Sequence, residues 1–189
     1  MNLRALEAAM SAVALLVGIA SSATAQETPV WSDIDCTQSK LVTPPGLKCR
    51  STQEYSGGSR VASGSSANGM TRNWNALGTV NGSKVFFLGK EAVAMRSSVF
   101  PYVLADGVKT LSPQGKGAAD FSSPTTITGG DFLRFTSAAG EACIGVRKEG
   151  GARKQGFQWV MIATKCAPKG KPILDEEAAT FLREADFRV

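Results

Sequence analysis

Histidine is absent from this chain of 189 residues, and aromatic residues make up only 7% of it. Histidine is the commonest general base and the commonest nitrogen ligand of metal ions in proteins. Its absence excludes a Ser-His-Asp triad, a Cys-His dyad and an HExxH zinc site within this chain. The S-x-x-K and G-x-S-x-G motifs of acyl-transferring enzymes are also missing. Nucleophilic catalysis therefore has no recognisable motif in this sequence.

Metal-binding patterns are missing as well. The cysteines include no C-x-x-C pair, which a zinc site without histidine would normally use. The stretch Asp33-Ile34-Asp35 is too short to be an EF-hand loop, because such a loop needs further oxygen ligands and a glycine at fixed positions. The sequence therefore predicts no metal and no other cofactor.

Paired carboxylates are the one common catalytic arrangement that this composition leaves open, since glycoside hydrolysis needs only Asp and Glu. Glu91, Asp131 and Glu141 lie in or beside predicted strands, where they could line a cleft. A glycan cleft usually has several aromatic platforms, however, and the chain contains 3 tryptophans. The prediction leans against an enzyme, and a two-carboxylate hydrolase of envelope glycans is the alternative function.

The first 25 residues have the features of a secretory signal peptide. Arg4 precedes an apolar stretch from Met10 to Ala20, and Ala23-Thr24-Ala25 fits the A-x-A cleavage rule. The apolar stretch is shorter than the roughly 20 residues that a membrane-spanning helix needs. Cleavage before Gln26 is therefore predicted, with export to the periplasm or the extracellular space. No later segment is long and apolar enough to cross a membrane.

Four cysteines, an even number, all lie beyond the predicted signal peptide. In an oxidising compartment this predicts two disulfides. Three pairings are formally open, and the spacing favours the two local ones, Cys36 with Cys49 and Cys143 with Cys166.

Turn signals divide residues 26–189 into short strands. Asn81-Gly82 and Asp106-Gly107 each separate two β-prone runs, and Asn-Gly and Asp-Gly are strong signals for a hairpin turn. Further β-prone runs follow at 125–128, 131–136, 142–147 and 157–165. The spacing predicts a single, mainly antiparallel β domain, either a barrel or a sandwich. Residues 56–69, rich in Ser and Gly, are predicted to form a flexible loop.

Two segments near the C-terminus have clearer patterns. In residues 157–164, large apolar side chains occupy both alternating faces, which predicts a central strand covered on both sides. After Pro172, Asp175 is predicted to cap a helix whose first turn contains Glu176 and Glu177. Its apolar face follows at helical spacing and comprises Ala178, Phe181, Leu182 and Ala185.

The strongest charge feature is the loop between the two last strands, with four bases and one acid in residues 147–156. Arg147, Lys148, Arg153 and Lys154 are predicted to crowd one hairpin tip. Such a tip is either a solvated, solubilising surface or a site for an anionic envelope component or an acidic protein. Nucleic acid is not expected, because aromatic residues are not interleaved with the bases. The preferred function is therefore a non-enzymatic binding or accessory protein of the cell envelope.

The stretch Val85-Phe86-Phe87-Leu88-Gly89-Lys90-Glu91-Ala92 resembles part of the small exported lysozyme inhibitors, which have an antiparallel barrel. The resemblance covers these residues alone. It implies a further alternative function, inhibition of an envelope hydrolase.

Overall fold

A computed structural model of the chain describes residues 30–55, 70–93, 98–127 and 129–189. Within them lie two helices, α1 (Leu104–Leu111) and α2 (Asp175–Glu184). The strands are β1 (Ser32–Ile34), β2 (Leu41–Val42), β3 (Lys48–Tyr55), β4 (Met70–Val80), β5 (Ser83–Ala92), β6 (Thr125–Ile127), β7 (Gly130–Thr136), β8 (Ala142–Ala152), β9 (Phe157–Cys166) and β10 (Asp186–Phe187). Eight strands form one antiparallel sheet in the order β1-β3-β4-β5-β9-β8-β7-β6, and β2 pairs with β10 in a separate ribbon. The predicted class, a mainly antiparallel β protein, is confirmed.

One face of the sheet, here called the α2 face, is covered by α2 and by the β2–β10 ribbon. Phe87 of β5 meets Phe181 of α2 with ring centroids 5.7 Å apart, and Trp159 of β9 stacks on Phe187 of β10 at 5.1 Å. Met161 of β9 is fully buried in the same apolar cluster. Burial of aromatic side chains of this size is the main source of stability in such a core.

The other face, here called the α1 face, is covered by α1, and this corrects the prediction of a hairpin turn at Asp106-Gly107. Leu104 and Val108 are buried one turn apart on the helix. Gly107 lies within α1 and faces β9, where a Cβ would be only 2.4 Å from Ile162 Cδ1. The glycine is therefore needed for the close approach of the helix to the sheet and not for a turn with positive φ.

The predicted hairpin at Asn81-Gly82 is confirmed. Both residues have positive φ, 49° and 78°, and they join β4 to β5. Strand β9 pairs with β5 on one side and with β8 on the other, and its side chains are buried on both faces. The predicted central position of this strand is confirmed as well.

The C-terminal helix is also confirmed, with one correction at its start. Leu174 holds the N-cap position and makes no side-chain capping bond, while Asp175 is the first helical residue. Instead of capping the helix, the Asp175 carboxylate pairs with Arg134 of β7. This ion pair ties the start of α2 to the sheet.

Both predicted disulfides are present. Cys36 joins Cys49, and Cys143 joins Cys166 across directly opposite positions of β8 and β9. The predicted signal peptide (1–25) and the predicted flexible loop (56–69) lie outside the described residues. Among the helices of the described part of the chain, none is long and apolar enough to cross a membrane.

Removing either disulfide should lower the free energy of unfolding by about 3 kcal/mol, because the unfolded chain regains the entropy of an open loop. The sequence separations are 23 for Cys143–Cys166 and 13 for Cys36–Cys49. The double Cys143→Ala, Cys166→Ala variant should therefore lose about 0.5 kcal/mol more than the Cys36→Ala, Cys49→Ala variant. Urea unfolding of the two variants beside the parent protein measures this, and an unchanged midpoint in either variant would contradict it.

Candidate functional site

The four bases predicted to share the β8–β9 tip do not lie together. Arg147 points to the α1 face and is only 22% exposed. Its guanidinium donates hydrogen bonds to the Asp131 carboxylate of β7 and, at 2.6 Å, to the Tyr102 carbonyl just before α1. Arg147 Nε also lies 3.5 Å from Oε2 of Glu149, an atom that is buried and accepts no hydrogen bond. Arg147 is therefore bound within the protein, between two carboxylates.

Lys148, the next residue along β8, points to the α2 face. Its ammonium lies 3.5 Å from the Arg183 carbonyl in the last turn of α2 and 4.0 Å from the Asp186 carboxylate of β10. The side chain is 11% exposed. Cations interact favourably with the C-terminal carbonyls of a helix, so Lys148 stabilises the docking of α2.

Arg153 and Lys154 do lie at the tip, in the turn that joins β8 to β9. The Arg153 backbone N–H donates to the Gly156 carbonyl at 3.0 Å, and Gly156 has a φ of 82°. Lys154 is exposed, and Arg153 is partly exposed. Residues 150–158 contain two basic side chains, Arg153 and Lys154, and no acidic one.

A feature that the sequence did not indicate is an exposed aromatic ring beside this turn. Phe100 is 65% exposed, and its Cε1 lies 3.3 Å from the position that a Cβ on Gly156 would take. The neighbouring Val99 is buried and exchanges two backbone hydrogen bonds of 2.9 Å with Phe157 of β9. Phe100 is therefore held next to the tip by a β-bridge. No periodicity could reveal it, because the bridge joins residues far apart in the chain.

The three carboxylates considered for glycan hydrolysis are each bound to a different cation. Asp131 pairs with Arg147, Glu91 accepts from Lys40 at 2.6 Å, and Glu141 accepts from Lys84 at 2.6 Å. Each carboxylate therefore forms an ion pair within the fold.

These carboxylates are also too far apart to act as a catalytic pair. Asp131 is opposite Arg147 in the β7–β8 register, and Glu141 precedes the start of β8. At about 3.3 Å per residue the two acids are roughly 20 Å apart. Glu91 lies on the α2 face, whereas Asp131 lies on the α1 face. Glycosidases hold their two carboxyl groups about 5–9.5 Å apart, so these three residues form no such pair.

Glu141, like Glu91, is buried, at 8% exposed. The hydrogen bond from the Lys84 ammonium holds the pKa of its carboxyl below the ordinary value of 4.5, although burial acts in the opposite direction. The Ser137 hydroxyl, 3.1 Å from Glu141 Oε2, adds to the lowering. Glu141 is thus a buried carboxylate held in its charged form, which suits a structural anchor and not a general acid.

The stretch that resembles the lysozyme inhibitors comprises all of β5 except its first two residues. Val85, Phe86 and Phe87 are at most 3% exposed and belong to the buried apolar side chains. The similarity therefore falls on a core strand, and an interface with another protein would need different residues.

Comparison with models of protein families, with curated proteins and with solved structures finds no match for this chain. In the described parts of the chain, no group of three or more Cys, Asp or Glu side chains is arranged to hold a metal ion.

The Arg147→Met substitution should lower the free energy of unfolding by about 2–4 kcal/mol, because it leaves Asp131 and Glu149 without their shared cation. Lys154→Met, at the exposed tip, is the matched control and should change stability by less than about 0.5 kcal/mol. Urea unfolding distinguishes the two. Equal effects would show that Arg147 is no more a part of the folded interior than Lys154.

Glu141→Gln should destabilise the protein by about 1–3 kcal/mol at pH 7, because it removes the negative charge that pairs with the Lys84 ammonium. The folded-state pKa of Glu141 is lowered, so its contribution is fully present above pH 4.5 and is lost as the pH falls through the folded value. The gap between the variant and the parent protein should therefore narrow in acid. Urea unfolding at pH 7, 5 and 3 tests this, with exposed Glu176→Gln as the control, and a gap independent of pH would contradict it.

Proposed function

We propose that this protein is an exported, non-enzymatic binding module of the cell envelope that attaches to anionic lipid surfaces through its β8–β9 tip. The observation that carries the proposal is the exposed ring of Phe100 beside the turn that holds Arg153 and Lys154. Basic side chains next to an exposed aromatic ring are the combination by which peripheral proteins bind a membrane interface. The two disulfides support an oxidising, extracytoplasmic location.

The free energies that the tip residues can contribute predict weak and salt-sensitive attachment to the membrane. Each basic residue near an anionic surface contributes about 1 kcal/mol, and burying the exposed part of a Phe ring adds about 1–2 kcal/mol. A total of about 3–4 kcal/mol corresponds to reversible binding, which suits an accessory protein that acts with other components. Because exposed charges are screened at high ionic strength, binding should weaken as salt is added.

The tip residues favour a lipid surface over an acidic protein for one reason. Phe100 is exposed and has a fixed position beside the charges, and a ring at that place contributes most when it enters an apolar layer beneath charged headgroups. Arg147 and Lys148 are not contact residues in this proposal, because their side chains are mostly buried, at 22% and 11% exposed.

The test is co-sedimentation with vesicles of phosphatidylglycerol and phosphatidylcholine, compared with phosphatidylcholine alone. The parent protein should bind the anionic vesicles only, and the Arg153→Glu, Lys154→Glu variant should lose binding at least tenfold. The matched control is Lys169→Glu, Lys171→Glu, two exposed bases beyond the far end of β9, about 30 Å away. Both double variants lower the formal net charge from +5 to +1.

The control variant should keep most of the binding. Equal loss in both variants would show that net charge alone drives attachment, and failure of the parent protein to bind anionic vesicles would overturn the proposal. Phe100→Ser should weaken binding to vesicles several-fold and leave binding to soluble polyglutamate unchanged. If polyglutamate binds as well as the vesicles do, and Phe100→Ser affects neither, the partner is an acidic polymer or protein and not a membrane.

A further inference from the structure

A polar groove lies on the α2 face at the N-terminal edge of the sheet, beyond the layer that covers the core. Its volume is about 470 Å³, within the range of about 300–1,000 Å³ that is typical of small-molecule sites. Strands β1, β3 and β4 form its floor, and Gln38, from the short 3-10 turn Cys36–Gln38, contributes to its wall. This groove is separate from the β8–β9 tip, and none of the four predicted basic residues lines it.

The lining residues come from neighbouring strands in register. Ser32 is opposite Ser51, Ser51 is opposite Trp74, and Gln53 is opposite Arg72. Side chains directly opposite one another in an antiparallel sheet lie on the same face, so these five converge on one surface. Serine and glutamine side chains both donate and accept hydrogen bonds, which is the chemistry that a ligand rich in hydroxyl groups needs.

The charged element of the groove is Arg72. The guanidinium carbon lies 5.5 Å from the centroid of the Trp74 ring, in a cation–π arrangement. With the Gln53 amide oriented so that its oxygen faces Arg72, this oxygen accepts from Arg72 Nε at 3.3 Å and also from Arg72 Nη2. Trp74 itself is only 6% exposed, so it is a fixed platform for the arginine. Gln53 takes two of the five N–H donors of the guanidinium, so the end formed by Nη1 and Nη2 is the part of the fork suited to the two oxygens of a carboxylate.

We infer that this groove is a binding site for a small hydroxyl-rich carboxylate, the chemistry of a sugar acid. Arg72 selects the carboxylate, and Ser32, Ser51 and Gln38 bind the hydroxyl groups. The inference goes beyond the proposed attachment to lipid, since it concerns different residues on a different part of the sheet. Replacing the Arg72 guanidinium should therefore weaken the binding of this ligand and leave the binding of vesicles unchanged.

The test is calorimetric titration of the full-length exported protein with glucuronate, compared with glucose and with acetate. Glucuronate should bind with a saturable isotherm, and glucose and acetate should each bind at least tenfold more weakly, because each lacks half of the recognised groups. Arg72→Lys keeps the charge but loses the two-pronged geometry, and it should weaken glucuronate binding about tenfold or more. The inference would be overturned if glucose bound as tightly as glucuronate, or if glucuronate did not bind.

Tryptophan fluorescence locates the site independently of the affinity. Saturating glucuronate should change the emission of the parent protein, and Trp74→Phe should abolish most of that change. The Arg153→Glu, Lys154→Glu variant should bind glucuronate as the parent does, which separates this site from the tip. If Arg72→Lys and the tip variant lost glucuronate binding equally, the signal would reflect general charge and the inference would be wrong.

Discussion

The structure depends on the burial of β8 and β9 on both faces of the sheet. These two adjacent strands have apolar side chains on both faces, and these side chains must be covered. A helix therefore docks on each face, and each helix must be fixed to the sheet. Arg147 and Lys148 do this from successive positions of one strand: Arg147 binds the Tyr102 carbonyl before α1, and Lys148 lies beside the Arg183 carbonyl at the end of α2. The alternation of side chains along a strand thus directs one pair of bases to two separate layers.

That constraint divides the basic segment 147–156 into an internal and an external half. Inside, Arg147 lies between the carboxylates of Asp131 and Glu149. Moving Arg147 to solvent would leave these two carboxylates without their cation. Outside, the turn at Arg153 and Lys154 has no acid in its own sequence and stands beside an exposed Phe100 ring. A count of bases along the chain does not show this division, since it arises from burial and from strand pairing.

The sequence predicted those features that depend on local chemistry. Asn81-Gly82 formed the expected turn and the cysteines formed the expected local bridges, because short-range geometry governs both. Asp106-Gly107 gave the same local signal but lies in α1, where Gly107 allows contact with a strand more than 50 residues away. The tip ring and the groove escaped prediction for the same reason: each joins segments whose proximity is set by the register of the whole sheet.

The groove follows from the limited extent of the covering layers. The α2 face is covered where β5, β9 and β8 contribute Phe87, Met161 and Val146, and its side chains become polar towards β1 and β3. Exposed Ser and Gln side chains are well hydrated, so a polar surface at this place does not by itself indicate a ligand site. An Arg placed over the ring of a buried Trp is different, because stacking fixes a long side chain that solvent would otherwise leave mobile. A charge fixed in position beside hydroxyl and amide groups has the pre-organisation of a binding site, and this is why Arg72 and not the groove volume identifies it.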